Sequence, residues 1–398
     1  MSIEIKPAPP VRLTSLDAYR GFVMFLMMAE VLSIGRVAGA FPDSGFWKFL
    51  AHHTDHLNWA GCSLHDLIQP SFSFLVGVAL PFSMLSRAAK GQSPWMMTAH
   101  AVWRSLALIF LGIFLRSAGS RPHLNFVFDD TLTQIGLGYA FLFLLGFRSV
   151  KFQWSALAVI LFGYWLAWTL YPLPGAEFDY TKVGVPADWP HHATGFAAHW
   201  NKNSNLGAAF DTWFMNLFPR IKPFVTHGGG YLTLNFIPTL ATMLLGLIAG
   251  GWLRGELSPK QKIQRLLIAG GVGLVAGLLM HWLGICPLVK RIWTPSWTLF
   301  SGGCCFLLLA GFYAVVDVWG FKKCAFPLSV IGMNSIAIYC LVHWIQGFII
   351  NSLKTCFGRG WPNVFGATFE PITMGAAVLL VYWLILYWMY RRKIFLRV

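Results

Sequence analysis

HHTDHLNWAGCSLHDLIQPSFSF, residues 52–74, places four histidines and two aspartates at the mouth of an apolar run. The apolar part continues through residues 64–85 with His65 and Asp66 as its only ionisable residues. About 20 apolar residues in a helix cross about 30 Å of hydrocarbon. The stretch therefore reads as a polar connector leading into a membrane span, with ionisable groups where burial makes them costly. Its reading decides the fold: the chain is built for lipid, and the chemistry sits at one end of a span.

The rest of the sequence agrees. Of 398 residues, 56% are hydrophobic and the mean hydropathy is +0.59. Only 11% are charged, against roughly 25% in soluble proteins. The expected fold class is an all-α polytopic membrane protein, one transmembrane domain over residues 1–398. Ten apolar runs are long enough to span: 18–38, 64–85, 98–117, 131–148, 152–171, 232–253, 266–285, 296–317, 325–350 and 371–390. The fourth is short. The 19 Trp and 34 Phe suit broad interfacial belts.

The net charge of +15 is explained by topology. Arg12, Arg20, Arg87, Lys90, Arg148, Lys151, the segment 254–265, Lys322, Lys323 and the tail 391–397 fall in one set of loops. The positive-inside tendency makes that set cytoplasmic and puts both termini inside. Residues 1–15 read as a short cytoplasmic tail, and the first run as a retained span rather than a signal peptide. Lys290 and Arg291 fall on the opposite side and blur the rule. Basic residues come in twos and threes without a long stripe, which argues against nucleic-acid binding. Seven dispersed cysteines without a CxxC indicate neither a disulfide framework nor a zinc site.

One connector, 172–231, is long enough for a small subregion, and it lies on the outer side. Its Asn, Asp and Trp content suits either a sugar-binding surface or an interfacial cap packed on the spans. No internal repeat is evident, which disfavours an inverted-repeat transporter. Polar groups inside the runs are functional candidates: Glu30, Asp66, Arg104, Arg116, Gln134, Asn235, His281, Asp317, Asn334 and His343. Pro70 is expected to kink the second span.

His56 lies just outside that span. A neutral imidazole there can take a proton from an attacking amine, with Asp55 or Asp66 orienting the ring. A rival reading is metal binding by His52 and His56, four apart, with Asp55 or His65 as a third ligand.

Five segments carry a family resemblance. RLTSLDAYRGFVMFLMM (12–28) and HLNWAGCSLHDLIQPSFSFLVG (56–77) resemble the first two signatures of the heparan-α-glucosaminide N-acetyltransferase family, in the transmembrane acyltransferase superfamily. VWRSLALIFLGI (102–113), the stretch from Asp317 through GMNSIAIY (332–339), and YRRKIF (390–395) resemble later ones, in the same order. The resemblance implies an enzyme that moves an acetyl group from cytoplasmic acetyl-CoA to the amine of a glucosamine on the far side. The family's catalytic histidine falls on His56, the aspartate of its Asp-Leu pair on Asp66, and the arginine of its Trp-Arg-Ser triplet on Arg104. Departures occur at Val31, where the family has asparagine, at Thr133-Gln134-Ile135-Gly136, where the family's Gln-Arg-Leu-Gly has an arginine, and at His343, which is one residue out of step. The family's lysosomal members carry an N-terminal domain and a further span that are not found here, so a bacterial inner-membrane form is expected.

On this reading Arg20, Arg87 and Arg104 pair with the phosphates of acetyl-CoA. His56 acts as base or as acetylated nucleophile, supported by Asp66. Asn235 or Asn334 donates to the oxyanion. Glu30, Trp59, Asn235, Asn334 and His343 line the acceptor site. No metal is expected, a homodimer is compatible with the sequence, and the acceptor stays open, including a hydroxyl in place of the amine. Two other classes compete: a proton-coupled sugar or amino-sugar transporter using Glu30, Asp66 and the histidines, and a scaffold that docks an envelope partner through 172–231.

Overall fold

A computed structural model describes residues 13–118 and 124–396. Residues 1–12, Arg12 among them, and Arg397 lie outside the described residues. Fourteen α-helices occur in the described part. They are α1 Thr14–Met28, α2 Ile34–Gly39, α3 Gly45–His53, α4 Ile68–Ala88, α5 Pro94–Ser117, α6 Thr131–Leu145, α7 Val150–Leu170 and α8 Leu206–Phe214. They continue with α9 Phe236–Arg254, α10 Pro259–Trp282, α11 Pro295–Phe312, α12 Phe326–Met333, α13 Ser335–Phe357 and α14 Glu370–Arg391. Among the described residues strand-like pairing is limited to one antiparallel bridge, Ala60 with Val289.

Eight helical segments are long and apolar enough to cross a membrane, and the protein is an integral membrane protein. The other expected runs differ for physical reasons. α6 has 15 residues, about 22 Å at 1.5 Å per residue. The first run is interrupted: α1 stops at Met28, a 3-10 turn covers Ala29–Leu32, and Ser33 takes a left-handed φ of 46° before α2. The run 325–350 is broken at Asn334 into α12 and α13. Pro70 does not kink a span. α4 begins at Ile68, so Pro70 lies in the first turn, where its missing N–H breaks no helical bond. The proline inside α4 is Pro81.

Helix starts follow local chemistry. Ser93, Ser149, Ser258 and Thr294 each accept the backbone N–H three residues on, and Pro94, Pro259 and Pro295 occupy first helical positions. Asp317 caps α1 from a distance, accepting Thr14 N at 3.2 Å and Ser15 N at 3.1 Å. The spans then pack through small residues. A Cβ at Gly77 would overlap the Met243 carbonyl, and one at Gly246 the Phe74 carbonyl, so α4 and α9 touch backbone to backbone. Gly21 and Gly332 do the same for α1 and α12. Phe74, Leu75, Val78, Leu244 and Phe306 fill the core between them.

Segment 172–231 is an ordered cap. Trp200 is buried beside Trp168 and Trp59. Asn201 exchanges two hydrogen bonds with the Ala193 backbone, Asn203 donates to Val183 O, and Asn205 caps α8. The asparagines that suggested sugar binding are committed to the cap itself. This favours the packed-cap reading for those residues.

Candidate active site

Asp66 is the centre of the end of the bundle that carries this cap. The local sequence Ser63-Leu64-His65-Asp66 folds back on itself in capping-box fashion. Ser63 N and Ser63 Oγ each donate to Asp66 Oδ2 at 3.1 Å, and Asp66 N donates to Ser63 Oγ at 3.2 Å. This turn aims the carboxylate at the loop before it, where Leu57 N adds a further bond at 3.3 Å. Asp66 Oδ1 stands 3.0 Å from His56 Nδ1 and accepts Lys290 Nζ at 3.1 Å. Lys290 Nζ is also 3.0 Å from His56 Nδ1. Asp66 is 1% exposed and Lys290 5%.

Of the two aspartates proposed to orient His56, the structure selects Asp66. The Asp55 carboxylate accepts the His56 backbone N–H instead, at 2.7 Å. Burial holds the His56 imidazole below its ordinary pKa. The bond to Asp66 opposes this, while the neighbouring Lys290 and His65 reinforce it. Burial likewise lowers the Lys290 ammonium, with Asp66 opposing.

Lys290 was read from sequence as an exception to the charge rule. Its position depends on a turn that sequence alone did not expose. Gly61 N donates to Leu288 O at 3.0 Å beside the Ala60–Val289 bridge, and Thr294 Oγ1 donates to Pro287 O at 2.8 Å while accepting Val289 N. Arg291, the other exception, donates to Leu57 O at 3.3 Å and Gly229 O at 2.8 Å. Both basic residues hold the His56 loop. The usable signal was the presence of two charges where the topology rule wanted none.

Glu30 belongs to the same group. Its carboxylate is 2.8 Å from His65 Nε2, and the His65 and His56 rings are 4.5 Å apart. Glu30, His56 and His65 each bring one ligand atom within 4.8 Å of the others, a set that could hold a divalent ion. The pair His52 and His56 does not form the metal face of the rival reading. α3 ends at His53, so the two are not on one helix, and Asp55 and His52 are exposed.

Other expected site residues lie elsewhere. Trp59 is 5% exposed and meets Trp189 edge-on, so it packs the cap rather than offering a stacking face. Asn235 donates its amide to Arg291 O at 2.8 Å, and its buried Oδ1 has no partner. One of its two N–H groups is thus committed to the Arg291 backbone. Asn334 ties down the C-terminal segment, donating to Ile394 O and accepting Leu396 N. It adjoins Gly332, which packs on Asp17 and Gly21 at the start of α1. Glu30 follows the other end of that helix, so Asn334 is not part of the His56 group. His343 accompanies Tyr339, not His56: its Nδ1 lies 2.8 Å from Tyr339 O and the rings are 4.7 Å apart.

Tyr339 leads to a second buried carboxylate. Asp130 caps α6 through Leu132 N at 2.9 Å, and its Oδ2 accepts Tyr339 OH at 2.8 Å and Arg116 Nε at 3.0 Å. The three arginines assigned to phosphate lie away from the His56 end. Arg87 is in the last turn of α4, 3.1 Å from His100. Arg104 is one turn beyond His100 on α5; it donates to Tyr139 OH at 3.1 Å, and its buried Nε has no partner. Arg20 pairs with Asp17 at 3.5 Å near the start of α1.

No protein-family model matches this chain. It is 25% identical over 432 aligned positions to heparan-alpha-glucosaminide N-acetyltransferase from Homo sapiens, covering 98% of this chain and 60% of that protein. It is 24% identical over 430 positions to the protein of the same name from Mus musculus, covering 97% and 60%. The chain thus spans about 60% of the length of the curated relatives it matches. Both matches support the resemblance drawn from the motifs.

Proposed function

We propose that this chain is a transmembrane N-acetyltransferase, moving an acetyl group from cytoplasmic acetyl-CoA to the amine of a glucosamine-type sugar on the other side of the membrane. The observation that carries the reading is the half-buried His56 paired with the buried Asp66, with Lys290 against both. The likeness to two N-acetyltransferases supports the reaction class. Ten spans, both termini in the cytoplasm and a bacterial inner membrane complete the proposal.

An imidazole that donates from Nδ1 to Asp66 keeps a lone pair on Nε2 and stays neutral near pH 7. Lys290 neutralises Asp66 and disfavours protonation of the ring. The acceptor enters with its amine near Glu30. The neutral amine forms the C–N bond at the thioester carbonyl carbon, and the C–S bond breaks. One of the two protons on the amine nitrogen passes to His56 Nε2 and from there to the departing thiolate, and the other stays on the amide. Acetyl-CoA is a substrate here, with its phosphates at the basic end. Arg104, with a buried Nε that has no partner, fits an anion there, and Arg87 and Arg20 add charge.

The test is purified protein in nanodiscs with labelled acetyl-CoA and a panel of amino sugars and sugars. Label transferred to the amine of a glucosamine is the expected result. Saturable sugar transport without any acetyl-CoA binding would replace the reading with a transporter.

A further inference from the structure

A cavity of about 310 Å³ opens beside Glu30 and His65, between the end of α1 and α3. Leu26, Leu50, Leu64 and Phe49 supply its apolar wall. His53 and Thr54 also border it, with part of their polar surface already engaged. His53 Nδ1 accepts Leu64 N at 3.2 Å, and Thr54 Oγ1 donates to Leu50 O at 2.8 Å. The polar atoms left to this cavity are therefore few, at Glu30, His65 and His53 Nε2, against a wall that is mostly apolar. A hexosamine ring carries several hydroxyls, each needing a partner when buried. This wall cannot satisfy them, whereas it suits a hydrocarbon chain.

The surroundings place the cavity at the lipid boundary. α3 precedes the His56 loop and exposes Phe46 and Phe49, the latter 62% exposed, as an interfacial helix does. Glu30 is 54% exposed at its side chain and carries the negative charge at the cavity's polar end, whereas Asp66 is buried against Lys290. A cationic amine with an apolar tail complements both features.

We propose that the acceptor is a membrane-embedded amphiphile, an amino sugar with an attached alkyl chain, whose amine meets Glu30 beside His56 and whose chain lies in this cavity. The proposal rests on the acetyltransferase reading and names the substrate class for the same site. The sugar would come to His56 laterally from the bilayer, its ring held outside the apolar wall.

Two measurements on the full chain in nanodiscs test it. In the first, an alkyl glucosaminide with a diazirine at the chain end is photolysed, and the adducts are mapped by mass spectrometry. Adducts on 26–30, 49–54 and 64–65 are expected. Adducts confined to other surfaces overturn the proposal, and so does equal labelling by a phosphatidylglycerol with the same tail, which has no amine. In the second, the kcat/KM ratio of octyl to methyl glucosaminide is compared between the native chain and Leu50→Trp, which fills the cavity. The ratio should fall about tenfold, as two lost methylene contacts imply. An unchanged ratio overturns the proposal, because partition into the bilayer is the same for both proteins. Photolabelling needs no turnover. A failed transferase reading, with no acetyl moved to any acceptor, is thus a separate result from a cavity left unlabelled.

Discussion

Asp66 and Asp130 are two buried carboxylates at one end of the same bundle, each beside the start of a helix and each facing a cation. Both are saturated with donors. At Asp130 the donors are a backbone amide, a guanidinium and a tyrosine hydroxyl. None of these changes protonation near neutral pH. At Asp66 one neighbour is an imidazole, which does change there, and only its Nδ1 is taken up by Asp66 and Lys290. Asp130 clamps α5, α6 and α13 together, while in the proposed reaction Asp66 prepares a base. The difference lies in which donors surround the carboxylate, not in its burial or charge.

Exchanging charge for amide at the two sites should separate these roles. Asp66→Asn is expected to lower acetyl transfer by about 10³-fold or more, through loss of ring orientation and tautomer, and to destabilise the fold because Lys290 stays buried without its counter-ion. Full turnover in that variant would end the distinction. Lys290→Met comes next, at about 10–100-fold at pH 7. Burial and Lys290 both keep the native His56 pKa low, so the acid limb of kcat/KM lies below the ordinary histidine range. Without Lys290 the limb should move to higher pH, and a limb that stays in place would contradict the role given to the lysine.

Asp130→Asn should have the opposite signature. Loss of the charged partner for Arg116 is expected to cost about 2–3 kcal/mol of stability, read by thermal unfolding, while transfer per folded molecule stays close to native. A selective loss of transfer would make Asp130 part of the chemistry.

The smallest effect belongs to a third carboxylate. Burial raises Asp211 to about 7 although Thr233 N donates to it. The folded cap thus favours the neutral acid, whereas the unfolded chain ionises near the usual carboxylate value. The stability from this group is full below about 4 and is lost as pH rises through about 7. Asp211→Asn should raise the unfolding temperature at pH 8 by a few degrees and flatten its dependence between pH 5 and 8. An unchanged slope would show that another group sets it.

Much of this was legible in the sequence and some was not, for reasons visible in individual residues. Apolar length located the spans, and Ser-Pro and Thr-Pro pairs marked the starts of α5, α10 and α11. The breaks at Glu30 and Asn334 were hidden because hydropathy averages across them. His56 and Asp66 stood out as polar groups at the edge of a span, and the family resemblance chose His56 among four histidines. The choice between Asp55 and Asp66 was written in Ser63-x-x-Asp66, a capping-box pattern that turns the carboxylate toward the His56 loop. Lys290 was out of reach because 224 residues separate it from Asp66. The surroundings of Trp59 in the cap and of Asn334 at the C-terminal segment were hidden because residue type does not reveal what a side chain packs on or bonds to.

The most direct measurement of the central claim compares His56→Ala with the native chain in nanodiscs, following acetyl-CoA binding and acetyl transfer to glucosamine in the same preparation. The account predicts a folded protein that binds acetyl-CoA normally and transfers acetyl at least about 10²-fold more slowly. Near-native transfer by His56→Ala would contradict it.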